Sequence, residues 1–190
     1  MDLTSYAELA VRLVNTAIGV EGETDQLGST HEFRAFVADN PHLRGPWTRH
    51  DLEALRALRA ELAAVFVAAA QRDHTATAER LNALLMRYPI RPVLVRHDRS
   101  RWHMHLDESG SVSDRYAAGA VAGLATVLAQ FGLNHLGICA TPDCGSAYVE
   151  ASAARPGRHC AKHSASKANV TAFRNHRRSA GGFPASTAVG

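Results

Sequence analysis

All three cysteines of this chain lie between residues 139 and 160, and their placement constrains the fold more than any other feature of the sequence. Cys139 and Cys144 form a C-x4-C pair, and fifteen residues later Cys160 and His163 form a C-x2-H pair. Two close pairs of thiolate and imidazole ligands suit Zn²⁺, which takes four such groups in tetrahedral structural sites. Pro142 and Gly145 bracket Cys144. Proline fixes φ before the cysteine and glycine permits positive φ after it. The resulting tight turn directs backbone N–H groups toward a thiolate. Buried thiols or a disulfide would suffice for scattered cysteines, whereas a cluster with a histidine at ligand spacing points to a metal. The expected ligand set is Cys139, Cys144, Cys160 and His163. His159 and His135 are the alternatives for the fourth position, because spacing alone fixes no ligand geometry.

Charge is distributed unevenly around this cluster. Residues 1–133 carry 14 Lys and Arg against 16 Asp and Glu, whereas residues 134–190 carry 7 against 2. No carboxylate occurs from Ala151 to Arg178. A local excess of positive charge fits a surface that meets phosphates. A solvated basic tail is the plainer reading, and attachment to a metal knuckle argues against it. The chain starts without a basic or apolar leader, and no apolar run is long enough to span a membrane. A cytoplasmic, reducing setting is therefore expected, which favours metal ligation over disulfides. Arginine outnumbers lysine 19 to 2, a coding bias of GC-rich bacterial genomes.

Ahead of the cluster the periodicity is mostly helical. A helix is expected over residues 5–18, opened by a Ser5/Glu8 capping box and carrying Leu9, Leu13 and Ala17 on its apolar stripe. Asn15 and Thr16 read as a cap or as satisfied core polar groups. A second helix is expected from Thr30 to Asp39, with Phe33 and Phe36 inward, ended by Asn40-Pro41. Thr48 and Asp51 should cap a third helix whose stripe runs Leu52, Leu55, Leu58, Leu62, Phe66 and Ala69. A fourth spans about 75–87. The period then changes to two: Val93–Val95 and Trp102–Leu106 flank a turn, a β-hairpin near 92–107. His103 and His105 share one face of it and read as exposed polar residues rather than ligands. Ser113 should cap a helix from Asp114 to Phe131, apolar on most sides and so buried. Residues 134–138 are too short for a flexible tether, so the metal module should dock rigidly, while the helical domain, with its own leucine-rich core, should stay folded without the metal. Ala147–Val149 reads as a strand, 164–178 as the last helix, and 179–190 as a disordered tail.

The C-terminal segment resembles the CGNR-type zinc finger of a bacterial family of stress-induced transcription regulators, in which a helical ABATE-like domain precedes the finger. The resemblance rests on Cys139 and Cys144, Tyr148-Val149-Glu150-x-Ser152, Arg158-x-Cys160, Lys167-Ala168-Asn169-Val170, Phe173-Arg174 and Arg177. The Cys-Gly-Asn-Arg signature itself is replaced by His163-Ser164-Ala165-Ser166-Lys167. The fold class implied is mainly α with a small hairpin, a helical domain over 1–133 and a treble-clef-like zinc finger with a basic helix over 134–178. The function implied is DNA binding in transcription regulation, with the helical domain as a sensor of a small-molecule effector, a homodimerisation unit, or both.

On that reading the DNA-facing residues are Lys162, Lys167, Thr171, Arg174, Arg177 and Arg178. On a helix Lys167, Thr171, Arg174 and Arg178 fall along one stripe. Two other classes stay in view. A zinc enzyme would use Cys139, Cys144 and Cys160 with an open fourth position and Glu150 as base, but no H-E-x-x-H, P-loop, G-x-S-x-G or dinucleotide motif accompanies it. A finger that binds only proteins would lack salt-dependent DNA binding.

Overall fold

The structure is a computed structural model and describes residues 3–17, 25–40, 43–96, 102–106, 109–152 and 157–164. A 3-10 turn, Thr4–Tyr6, leads into α1 (Ala7–Asn15). The helices α2 (Thr30–Ala38), α3 (Arg49–Ala70) and α4 (His74–Arg87) follow. Strands β1 (Pro92–Val95) and β2 (His103–Leu106) pair antiparallel, with Val95 opposite His103. Helix α5 (Val112–Phe131), a second 3-10 turn (Leu133–His135) and the antiparallel pair β3 (Leu136–Ile138) and β4 (Ala147–Val149) complete the series. The molecule is mainly helical, with small two-stranded sheets.

Helix α5 is the central element. Tyr116, Ala117, Ala120, Val121, Leu124 and Val127 are all buried, as a helix apolar on most sides requires. It crosses α1 at close range because of Gly123. A Cβ there would overlap the backbone of Tyr6 and Ala7. The Tyr116 hydroxyl, itself buried, donates to the Leu9 carbonyl at 2.8 Å. Leu9 and Leu13 are buried as expected, and Ala10 with them, whereas Ala17 is exposed. The expected capping box at Ser5 and Glu8 does not form: Tyr6 precedes α1 without any side-chain cap. The close approach of α5 sets the path of the chain here, and a 3-10 turn follows it better than an extended capping residue.

Helix α3 begins as its sequence dictates. Thr48 and Asp51 form a reciprocal capping box, and the stripe from Leu52 to Ala69 is buried throughout. Burying each such leucine contributes roughly 1.5–3 kcal/mol. Asp51 does more than the sequence suggests. Its other carboxylate oxygen accepts from the Ser113 backbone N–H at 3.0 Å and the Ser113 hydroxyl at 2.9 Å. One carboxylate thereby serves the N-terminal ends of both α3 and α5. Ser113 is occupied in this way, and the cap of α5 is Ser111, which accepts from Asp114 N–H at 3.0 Å.

Helix α3 ends in a left-handed cap. Arg72 N–H donates to Ala69 and Asp73 N–H to Ala68, with Arg72 at φ 60°. This is the Schellman arrangement, in which the left-handed position is usually glycine. Asp73 then caps α4 through Ala76 N–H.

Strand β3 lies in a stretch that reads from sequence as a mere joint. Leu136 of β3 and Ala147 of β4 belong to the same hydrophobic core as the helices. The core therefore runs without a break across the expected boundary near residue 133. Docking of the module against the helices is direct, and the cluster that the module buries for itself is small, formed by Cys139, Tyr148 and Cys160. The proposed tail, 179–190, and most of the proposed last helix lie outside the described residues.

Candidate metal centre

The β3–β4 hairpin presents the first ligand pair. Cys139 follows β3 directly, and its N–H donates to the Ser146 carbonyl at 2.8 Å. Between them the chain turns tightly: Cys144 N–H donates to Thr141, with Asp143 at φ 60° and Gly145 at φ 63°. Proline in the second turn position and a residue of positive φ in the third satisfy such a turn, and Gly145 takes the conformation expected of it. The second pair opens a helix. Residues 161–164 are helical, three residues before the expected start, and both His163 N–H and Ser164 N–H donate to the Cys160 carbonyl. Ala140 N–H donates to the Arg158 carbonyl at 2.8 Å, which holds the two half-sites together.

The four expected ligands converge. The Cys139, Cys144 and Cys160 sulfurs and a His163 ring nitrogen all lie within 4.8 Å of one another. His163 Nδ1 is 3.4 Å from both the Cys139 and Cys160 sulfurs, and Cys144 Sγ is 3.8 Å from Cys160 Sγ. None of the three cysteines is in a disulfide. These residues lie close enough to hold one metal ion. Among the described residues no other group of three or more histidine, cysteine or carboxylate side chains has this property.

The alternative histidines have other partners. His159 Nδ1 sits 3.2 Å from the Thr141 hydroxyl and 3.9 Å from Cys139 Sγ, beside the cluster rather than in it. His135 Nδ1 is 3.0 Å from the Glu150 carbonyl, and its ring stacks on Phe131. The Glu150 carboxylate accepts from the Ser152 hydroxyl at 2.6 Å.

Electrostatics favour thiolate at Cys139. Burial pushes its thiol up, but hydrogen bonds from the Cys160 and Thr141 backbone, the Thr141 hydroxyl and His163 outweigh burial and bring it down to about 5. Nothing in the sequence singles out Thr141 for this part. Cys160 moves the other way, through burial and the adjacent Cys144 and Cys139. A cluster that crowds three sulfurs while stabilising one as thiolate is suited to a cation, which relieves the repulsion among the rest.

Sequence reasoning also misses the contribution of Asn15. Its amide binds both backbone groups of Ala147 in β4, which anchors the hairpin to α1. Of the residues expected to face DNA, Lys162 is exposed on the helical residues beside the cluster. Lys167, Thr171, Arg174, Arg177 and Arg178 lie outside the described residues. Among the described residues no helix is long and apolar enough to cross a membrane.

No curated protein matches the chain. A family model does: ABATE, described as a putative stress-induced transcription regulator, matches residues 7–131. The matched region runs from the first residue of α1 to the last of α5, the whole helical frame on which the β3–β4 hairpin and its Cys/His cluster are mounted, and the chain belongs to the ABATE family.

Proposed function

We propose that this protein is a bacterial DNA-binding transcription regulator in which Zn²⁺, held by Cys139, Cys144, Cys160 and His163, fixes the start of a basic DNA-contacting helix. The observation that carries this reading is the seat of Cys160 and His163 around the first helical turn of residues 161–164. An ion held there fixes the direction of the chain that leads, in sequence, into Lys167, Thr171, Arg174, Arg177 and Arg178.

Zinc fits the donor set. Zn–S bonds of about 2.3 Å and Zn–N bonds of about 2.0–2.1 Å place tetrahedral ligand atoms about 3.6–3.8 Å apart. The sulfur–sulfur separation of 3.8 Å and the sulfur–nitrogen separations of 3.4 Å agree with that. With His163 as fourth ligand the site is closed and structural. An enzyme built on the three cysteines alone would need that position open and Glu150 available as a base, whereas the Glu150 carboxylate accepts from Ser152. What supports DNA over a purely protein-binding finger is the run from Ala151 to Arg178 without any carboxylate, together with membership of a regulator family. The helical frame would then serve as sensor or dimerisation unit.

The test is fluorescence anisotropy of random-sequence duplex DNA across a salt series. Each phosphate contact adds roughly 0.9 to the salt slope. Replacing Lys167, Arg174 and Arg178 together by alanine should flatten the slope by about two to three units if most of them sit on phosphates. A triple variant that keeps its zinc and binds DNA like the parent would refute the assignment.

A further inference from the structure

Beside the metal centre, on the side of α3, lies a cavity of about 210 Å³. At roughly 30 Å³ per water it has room for several waters or one tetrahedral oxyanion with part of its shell. Leu136 and Ile138 form part of its wall, and its polar lining is Arg72, Arg158, Asn134 and Tyr148, with no carboxylate among the lining residues. Neither guanidinium has a hydrogen bond or ion pair among the described residues.

Two further observations point to a ligand. Tyr148 is only 8% exposed, yet its hydroxyl has no hydrogen-bond partner among the described residues. Its ring lies across Gly137, where a Cβ would come within 3.3 Å of the hydroxyl. The hydroxyl opens onto the cavity, where it is free to donate to a ligand. The second observation is Arg72 itself. It holds the left-handed position of the Schellman cap at φ 60°, where glycine costs least and a Cβ is strained. An arginine kept there at a steric cost implies a use for its side chain.

We propose that Arg72, Arg158, Tyr148 and Asn134 form a phosphate-binding pocket. Two guanidinium groups and a phenol are donors suited to phosphate oxygens. The C-terminal end of α3 opposes an anion with about half a negative charge, and two full positive charges outweigh it. The phosphate comes either from a DNA backbone, which would extend the contact surface past the basic helix to the body of the protein, or from a small phosphorylated effector. The pocket is independent of whether the residues beyond 164 contact DNA.

The experiment uses the full zinc-loaded chain. Inorganic phosphate and then pyrophosphate are titrated against isotope-labelled protein, with sodium chloride of equal ionic strength as reference, and backbone amide shifts are followed by NMR. Saturable shifts at residues 72, 134, 148 and 158 that chloride does not produce are expected. Arg72→Gly should weaken this binding about tenfold, the loss of one charged hydrogen bond, while the melting temperature stays the same or rises because glycine relaxes the cap. Tyr148→Phe, which keeps the ring, should weaken it as well. A parallel DNA titration separates the sources. A salt slope lowered by about 0.9 in Arg72→Gly assigns the pocket to backbone phosphate, and an unchanged slope with lost pyrophosphate binding assigns it to a free ligand. Shifts no different from chloride, together with an unchanged DNA slope, would overturn the proposal. Absence of any DNA binding would count against the regulator reading alone.

Discussion

The side-chain amide of Asn15 pairs with the backbone of Ala147 as a neighbouring strand would: Asn15 Nδ2 donates to the Ala147 carbonyl at 3.1 Å, and Ala147 N–H donates to Asn15 Oδ1 at 2.8 Å. Residues 132 positions apart are joined, and the hairpin that carries Cys139 is fixed to the first helix. Ala147 is fully buried, so its amide and carbonyl have no water to fall back on.

Asn15→Leu should therefore destabilise the protein by about 3 kcal/mol, since each buried unsatisfied group costs about 1–3 kcal/mol. Because Leu136 and Ala147 sit in the main core, the effect should appear in one cooperative transition followed by helical circular dichroism. Chelation of the metal should lower the same transition. A helical signal that melts at the parent temperature after chelation would show that the module is a separate stability unit after all.

Gly123 sets the distance between α1 and α5. A Cβ there would overlap the backbone of Tyr6 and Ala7, whereas at Gly119 it would meet the Tyr6 and Leu9 side chains at 3.0 and 3.2 Å. Side chains can shift and a packed backbone cannot. Gly123→Ala should cost about 3 kcal/mol or more, at the upper end for overpacking, and Gly119→Ala about 1 kcal/mol. Urea denaturation of the two variants gives the comparison. Equal losses would mean that α5 can slide away from α1.

Asp51 contributes a pH-dependent term. Burial raises its carboxyl, but the Ser113 and Thr48 backbone N–H groups and their hydroxyls outweigh burial and bring it from 3.8 down to about 2. A depressed carboxylate stabilises above its unfolded pKa and loses that contribution as pH falls through the folded value. The shift is equivalent to about 2 kcal/mol, fully present at neutral pH and lost between about pH 4 and pH 2. Asp51→Asn should therefore be less stable than the parent by about 2 kcal/mol at pH 7, and the gap should close as pH approaches about 2. A gap independent of pH would mean that the charge is not what caps the two helices.

How far the sequence discloses this structure depends on the range of the interactions. The stripe from Leu52 to Ala69 and the Thr48/Asp51 box are local, and both appear as read. The four ligands were legible because knuckle and helix start each keep their two members close together in the chain. Elements governed from afar were not. Ser5 and Glu8 match a capping box, but α5 presses on Tyr6 and Ala7 and imposes a tighter turn. Ser113 looks like a cap, yet Asp51 claims it from 62 residues away. Strand β3 has three residues and no turn signal, and only its pairing with β4 makes it a strand. Arg72 and Arg158 come to one cavity from distant parts of the chain, and an arginine in a left-handed cap leaves no mark in the sequence that separates it from any other surface arginine.

The central claim is a zinc ion held by Cys139, Cys144, Cys160 and His163, and elemental analysis of purified protein tests it most directly. The account predicts one zinc per chain in the parent, a large loss in His163→Ala, and retention in His159→Ala, whose ring bonds to Thr141 beside the cluster. Zinc well below one per chain in the parent, or equal losses in the two histidine variants, would contradict it.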